Sequence, residues 1–217
     1  MNIDQLITAL IPYGMIIRGV FHPKDKDNAP LDAQTVMMIG NAGPEMWRAF
    51  SKQPHSGLNP LDTWTRESLT PIADDFKAEV IFPFDGPPYF PFQRWAIQAD
   101  DVFPSPIGLL IHPAFGLWHA YRAAFSFTER LELPTSAPAT SPCGTCTDQP
   151  CLNTCPVDAF TPGNYDVGGC RTFIATPESN DCFRSGCRAR RACPVGQNHV
   201  YEAEQAKFHM QSFLKAK

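Results

Sequence analysis

The apolar positions of "IDQLITAL", residues 3–10, recur three and four apart and predict a short amphipathic helix. "YGMIIRGVFHP" then reads as a strand closed by Pro23, "KDKDNAPLD" as a polar loop, and "AQTVMMIGNAGP" as a buried strand running into a Gly-Pro turn. "EMWRAFSK" reads as helix. "NPLDTWTRESLTPIADDF" predicts a longer one, with Asn59 as N-cap, Pro60 at the first helical position and Pro71 expected to kink or split it. "AEVIFPF" is a further strand, and "DGPPYFPFQRWAIQADDV" a proline-aromatic loop that turns helical near Arg94. "GLLIHPAFGLWHAYRAAFSF" predicts two strands around a turn at Pro113 to Gly116, although its second half also suits a helix. Val200, Ala203, Met210, Phe213 and Leu214 recur mostly at helical spacing, so a C-terminal helix should pack back on the chain.

"LELPTSAPATSP" breaks this order with three prolines and no bulky residue beyond its start. It divides the chain into a domain over residues 1–130, a linker over 131–142 and a cysteine module with the terminal helix over 143–217. The fold class expected is α+β. Proline, at 22 of 217 residues, is about twice its usual share of roughly 5% and predicts many turns. With 43% apolar residues the chain has material for a core and needs no disulfides merely to fold. A net charge of −4 gives no footprint for nucleic acid or an anionic membrane, so a nucleic-acid partner is not expected. The N-terminus carries Asp4 where a secretory leader would carry a basic residue, and runs such as "IGLLIH" fall far short of the roughly 18 residues that span a bilayer. The expected location is the cytoplasm, where thiols stay reduced and clustered cysteines point to metal or catalysis.

All eight cysteines lie in the last third of the chain. They form C-x2-C-x4-C-x3-C-P, from Cys143 to Pro156, and C-x11-C-x4-C-x5-C-P, from Cys170 to Pro194. A bacterial two-cluster ferredoxin follows a tight cysteine loop with a more distant Cys-Pro, and the fourth cysteine of each run ligates the other cluster. On that rule Cys143, Cys146, Cys151 and Cys193 hold one [4Fe–4S] cluster, and Cys155, Cys170, Cys182 and Cys187 hold the second. The longer gaps require each loop to bulge, and Gly144, Gly168, Gly169 and Gly186 offer the backbone freedom for it. Two four-cysteine zinc sites and structural disulfides remain the alternatives. Arg184, Arg188, Arg190 and Arg191 surround the second group, either raising a cluster's potential and docking an acidic electron donor such as a flavodoxin or reductase, or forming a solvated basic face.

"IHPAFGLWHAYRAA" resembles the His-Pro-x-x-Gly-x-Trp segment of the cobalamin-processing (decyanating and dealkylating) family, and a similar stretch occurs in the corrinoid-binding half of epoxyqueuosine reductases. "GVFHPKDKDNAPLDAQTVMMIGNAGPEMWRAF" loosely resembles the same fold, and "FPFDGPPYFPFQRWA" stands where the epoxyqueuosine reductases carry a catalytic aspartate, which matches Asp85. The order of domains is also theirs. The resemblance implies a cobalamin-processing or nitroreductase-like α/β sandwich followed by a ferredoxin-like module. It further implies cobalamin as a cofactor and a small-molecule or corrinoid substrate. The helical-repeat domain of those reductases and their lysine near this turn are missing from the sequence.

Independently of any family, Tyr89, Phe90, Phe92, Trp95, Phe115 and Trp118 are aromatics near turns that suit a cleft for a flat cofactor, with Arg94, His112, His119 and Arg122 as polar handles and Gly116 closing the turn. The plainer reading is an aromatic core beneath proline-rich loops, with His112 bonded to its own turn and Asp85-Gly86 an ordinary turn dipeptide. Asp85 would need burial to serve as a proton donor. Three functions therefore stand: an iron–sulfur redox protein that delivers single electrons to a bound cofactor or substrate, a ferredoxin-type carrier with a docking domain, and a zinc-stabilised binding protein.

Overall fold

The computed structural model describes residues 2–133, 139–161 and 163–215. Within the expected linker, residues 134–138 lie outside that set. In chain order the elements are α1 (Ile3–Leu10), β1 (Ile16–Phe21), β2 (Thr35–Ala42), α2 (Glu45–Phe50), α3 (Pro60–Asp75), β3 (Glu79–Ile81), α4 (Phe92–Ala99), β4 (Phe103–Pro104), β5 (Leu110–Ile111) and β6 (His119–Phe127). Short elements follow: α5 (Pro150–Asn153), β7 (Phe160–Thr161), β8 (Asn164–Tyr165), α6 (Val167–Ile174), α7 (Asn180–Ser185), α8 (Arg188–Arg191) and α9 (Ala203–Lys215). Helices beside a purely antiparallel main sheet make the fold α+β. No helix among the described residues is long and apolar enough to cross a membrane.

The chain forms two compact units, Met1–Asp101 with His119–Pro138, and Val102–Trp118 with Ala139–Lys217. In the first, the sheet runs β1-β2-β6-β3. β2 is central and nearly all of it is buried, as its unbroken apolar run requires of a strand covered on both faces. Phe21, Ala33, Val36, Met38, Ile81, Phe92, Trp95 and Ala124 form a buried cluster against it. The β1–β2 register slips between Ile17 and Gly19, and this bulge re-aims the buried Arg18. Its guanidinium pairs with Asp100 at 2.8 Å and donates to the Asn41 carbonyl at 3.2 Å, while the Tyr121 hydroxyl donates to Asp100 at 2.7 Å. The ion pair is buried but satisfied on several sides.

Two local expectations change. Pro71 does not split α3, which runs unbroken from Pro60 to Asp75. Pro71 is exposed, so the carbonyl it leaves unpaired one turn earlier can turn to water, while buried Leu69, Ile72 and Ala73 hold the helix down on either side. Asn59 stands at the N-cap without a side-chain capping bond, and its carbonyl accepts the Thr63 N–H at 3.0 Å. The strands around Pro113–Gly116 both form, but β5 pairs with β4 and β6 with β2 and β3. The segment Val102–Trp118 thereby belongs to the cysteine unit. The terminal helix α9 packs on α7, yet its fully buried residues are Gln205 and Ala206, whereas Ala203 is exposed and Val200 precedes the helix.

Candidate metal centres

The second unit winds short turns and helices around its thiols. A 3-10 turn over Pro142–Thr145 carries Cys143, and the Cys146 N–H closes it on the Cys143 carbonyl at 3.3 Å. Pro150 opens α5, which holds Cys151. Cys193 follows α8, with its N–H on the Arg190 carbonyl at 3.3 Å. Cys143, Cys146, Cys151 and Cys193 line one apolar cavity together with Ile111, Leu117 and Val195.

Cys170 sits on α6, whose N-cap Asp166 accepts the Gly169 N–H at 2.8 Å, and Cys182 sits on α7. Cys187 is the residue before α8, and the Cys155 sulfur accepts the Ala159 N–H at 3.3 Å. Cys155, Cys170, Cys182 and Cys187 line a second apolar cavity with Phe160, Ile174 and Met210. Each cavity thus takes three thiols from one half of the cysteine region and one from the other. None of the eight is in a disulfide.

Burial, reinforced by neighbouring thiols, pushes Cys143 and Cys151 above the usual thiol range. Burial likewise raises Cys193, Cys170 and Cys187, with backbone N–H groups partly offsetting it at Cys187 and Cys193 and the Tyr165 hydroxyl at Cys170. These three raised thiols in the first cavity and two in the second give up their protons together only if a cation enters with them. Among the described residues no three His, Cys, Asp or Glu side chains are already drawn together as the ligands of one metal ion. Arg188 and Arg191 both bind Asp181 at 2.6 Å. Arg190 lies between the Trp118 and Tyr201 rings, 4.6 and 4.5 Å from their centroids, and its Nε donates to the Leu117 carbonyl at 3.0 Å.

The "IHPAFGLW" turn serves the first cavity. His112 and Gly116 exchange backbone hydrogen bonds of 2.9 and 2.8 Å, and the His112 Nδ1 accepts from the N–H groups of Ala114 and Phe115. Its ring stacks on Phe115 at 4.3 Å. His112 therefore organises its own turn. Gly116 has φ +58°, and a Cβ there would lie 2.0 Å from the Val195 carbonyl oxygen, so the turn lies backbone to backbone against the residues that follow Cys193. Trp118 is 2% exposed.

Two other residues assigned to a flat cofactor have different work. Trp95 has no exposed surface, donates its indole N–H to the Asp27 carbonyl at 2.8 Å and packs among Phe21, Phe90 and Phe92, so it is core and not the wall of a cleft. Arg94, its neighbour on α4, is exposed. The Asp85 side chain is 42% exposed and hydrogen-bonded to Arg66, whose guanidinium also covers Phe82 and Phe84. It lacks the burial that the proton-donor role requires. His119, buried on β6, lies edge-on to Tyr121, and Arg122 pairs with Asp62 at 3.0 Å. Tyr165 and Ser105, which bear on the two cavities, carry no motif that would single them out in the sequence.

The fold has solved counterparts. The structure is similar to an epoxyqueuosine reductase determined with an epoxyqueuosine-modified tRNA stem loop, with a TM-score of 0.52 and 18% identity over 93% of this chain and 68% of that one. It is similarly related to the epoxyqueuosine reductases of Bacillus subtilis, with a TM-score of 0.52 and 17% identity, and of Streptococcus thermophilus, with 0.54 and 15%, each over 93% of this chain and 68% of the other. At these identities the likeness is one of fold. No family model and no curated protein sequence matches the chain.

Proposed function

We propose that this is an iron–sulfur redox protein, with one [4Fe–4S] cluster held by Cys143, Cys146, Cys151 and Cys193 and a second by Cys155, Cys170, Cys182 and Cys187. The observation that carries the reading is the sorting of eight thiols into two apolar cavities, four to each, in the crossed order of two-cluster ferredoxins. Clusters of this kind supply one-electron transfer. The protein's own part is to exclude water with Ile111, Leu117, Phe160 and Ile174 and to hold the sulfurs in place. An electron donor such as a flavodoxin or reductase completes the system.

The proposal carries no corrinoid. Trp95 is sealed in the core and Trp118 is covered by Arg190 and Tyr201, so the two tryptophans offered to a flat ring do not fit one.

Anaerobically purified protein is expected to hold about eight iron atoms and eight acid-labile sulfides per chain. Stoichiometric zinc without sulfide would overturn the reading. Cys193→Ser should impair the cluster of Cys143, Cys146 and Cys151, and Cys155→Ser the other, as read by the spectrum of the cluster that survives. Cobalamin mixed with the oxidised protein should elute separately from it on gel filtration.

A further inference from the structure

The two cavities differ in their hydroxyl groups. At the second, Tyr165 stacks at 4.6 Å on Phe160, which lines the cavity, and its hydroxyl lies beside the Cys170 thiol. At the first, the Ser141 hydroxyl lies beside the Cys143 thiol, and Ser105 also lines the cavity, its Oγ buried with no hydrogen-bond partner among the described residues. A buried hydroxyl left unpaired is destabilising, so such a group is retained where it meets a partner.

The local chain holds Ser105 there. Its N–H donates to the Leu109 carbonyl at 2.9 Å and its carbonyl accepts the Gly108 N–H at 3.0 Å, which fixes the turn between β4 and β5. Both backbone groups are thereby used within the turn, and the side-chain O–H is left over. Everything else that lines this cavity, apart from the thiols and Gln149, is proline or aliphatic. An acceptor rich in electron density, such as thiolate or sulfide sulfur, is what a lone O–H in such a wall can bind.

We propose that Ser105 donates a hydrogen bond to a sulfur of the group held by the first cavity and so sets its reduction potential, an inference that rests on the iron–sulfur reading above. A hydrogen bond to a cluster sulfur favours the reduced form, which carries one more negative charge, and therefore raises the potential. Ser105 tunes the first centre as Tyr165 tunes the second. The two hydroxyls act separately, because each lies at its own set of thiols.

The test is a redox titration of the anaerobic protein with dithionite and mediators, followed by electron paramagnetic resonance, on the parent chain, Ser105→Ala, Tyr165→Phe and the double variant. Iron and sulfide are assayed in each. Ser105→Ala is expected to lower the midpoint potential of one centre and leave the other in place. Tyr165→Phe should lower the other one, and the double variant both. Unchanged potentials in a fully loaded Ser105→Ala, or a shift of the same centre by both single variants, would overturn the inference and leave the iron–sulfur reading standing. Loss of iron from Ser105→Ala alone would also overturn it, because a tuning hydrogen bond does not hold a cluster in place. A parent chain without iron and sulfide would remove both readings.

Discussion

The sheet unit and the cysteine unit solve the same problem with different materials. The sheet unit buries an apolar cluster of Phe21, Val36, Met38, Ile81, Phe92, Trp95 and Ala124 beside long paired strands. The cysteine unit has a smaller cluster of Ile107, Ile111, Leu117, Phe160 and Ala189, completed by Cys193 and flanked by Cys143, Cys151, Cys155 and Cys187. Its helices α5 to α8 are four to eight residues long, far below the length at which a helix persists alone in water. Thiols stand where the other unit has aliphatic and aromatic side chains. Burial stabilises the first unit by itself, whereas on the proposed iron–sulfur reading the second depends on the clusters its thiols would hold.

The largest expected effect follows directly. Stripping iron with a chelator under anaerobic conditions should leave the amides of β2 and β6 protected from hydrogen exchange. Those of α6, α7 and α8 should exchange at rates near those of an unfolded chain. Retained protection in both units would show that the apolar contacts of the cysteine unit suffice, and the contrast would fail.

The converse cut is Trp95→Ala. It removes the contacts with Phe21, Phe90 and Phe92 and the bond to the Asp27 carbonyl, at a cost of about 3–5 kcal/mol. A urea titration followed on the sheet unit should show the loss, while iron per folded chain stays at the parent value.

Next comes Gly116→Ala, which forces a side chain into a left-handed position and against the Val195 carbonyl, at a cost of about 3 kcal/mol. Its readout is faster loss of iron during chelation, since Val195 lies two residues beyond Cys193 in the wall of the first cavity. Gly144→Ala is the control, because a Cβ there meets nothing within 4 Å, and it should retain iron like the parent.

How much of this was legible in the sequence differs between the units for the same reason. In the sheet unit, periodicity located α1, β2 and α4, because apolar burial leaves its spacing on the chain. It did not reveal that β5 and β6 part company, since both are apolar and pairing partners leave no local mark. In the cysteine unit, periodicity located almost nothing, but cysteine spacing indicated the two sets of four, because ligand geometry fixes loop lengths. Aromatic residues near turns misled. Trp95 and Trp118 carry the same local signature as a cofactor wall, and only packing distinguishes a ring sealed in the core from one facing a cleft. Ser105 left no trace at all, because an unpaired hydroxyl is a fact of three dimensions.

The smallest effect sharpens the comparison at acid pH. Asp27 is 4% exposed in the sheet unit, and its carboxylate accepts the Lys24 N–H at 2.8 Å and the Gln98 amide at 2.9 Å. The Lys24 N–H is the main reason its pKa lies below the usual carboxylate range; burial opposes the shift, while Gln98 and the charges of Lys26 and Lys24 add to it. A carboxyl whose folded pKa is depressed contributes stability that is present above its unfolded value, about 3.9, and is lost as pH falls through the folded value. Asp27→Asn, which loses a charge-assisted bond, should therefore cost about 1–2 kcal/mol at pH 7. The gap between variant and parent should close as pH falls below about 4. Urea titrations of the sheet unit at both ends of that range measure it. The cysteine unit should fail in acid for a different reason, as protonation of its thiols releases iron. Iron release in the Asp27→Asn variant should then follow the same pH curve as in the parent, even where the sheet unit of the variant is weaker. A shift of the two curves together would mean that one carboxylate sets the acid limit of both units.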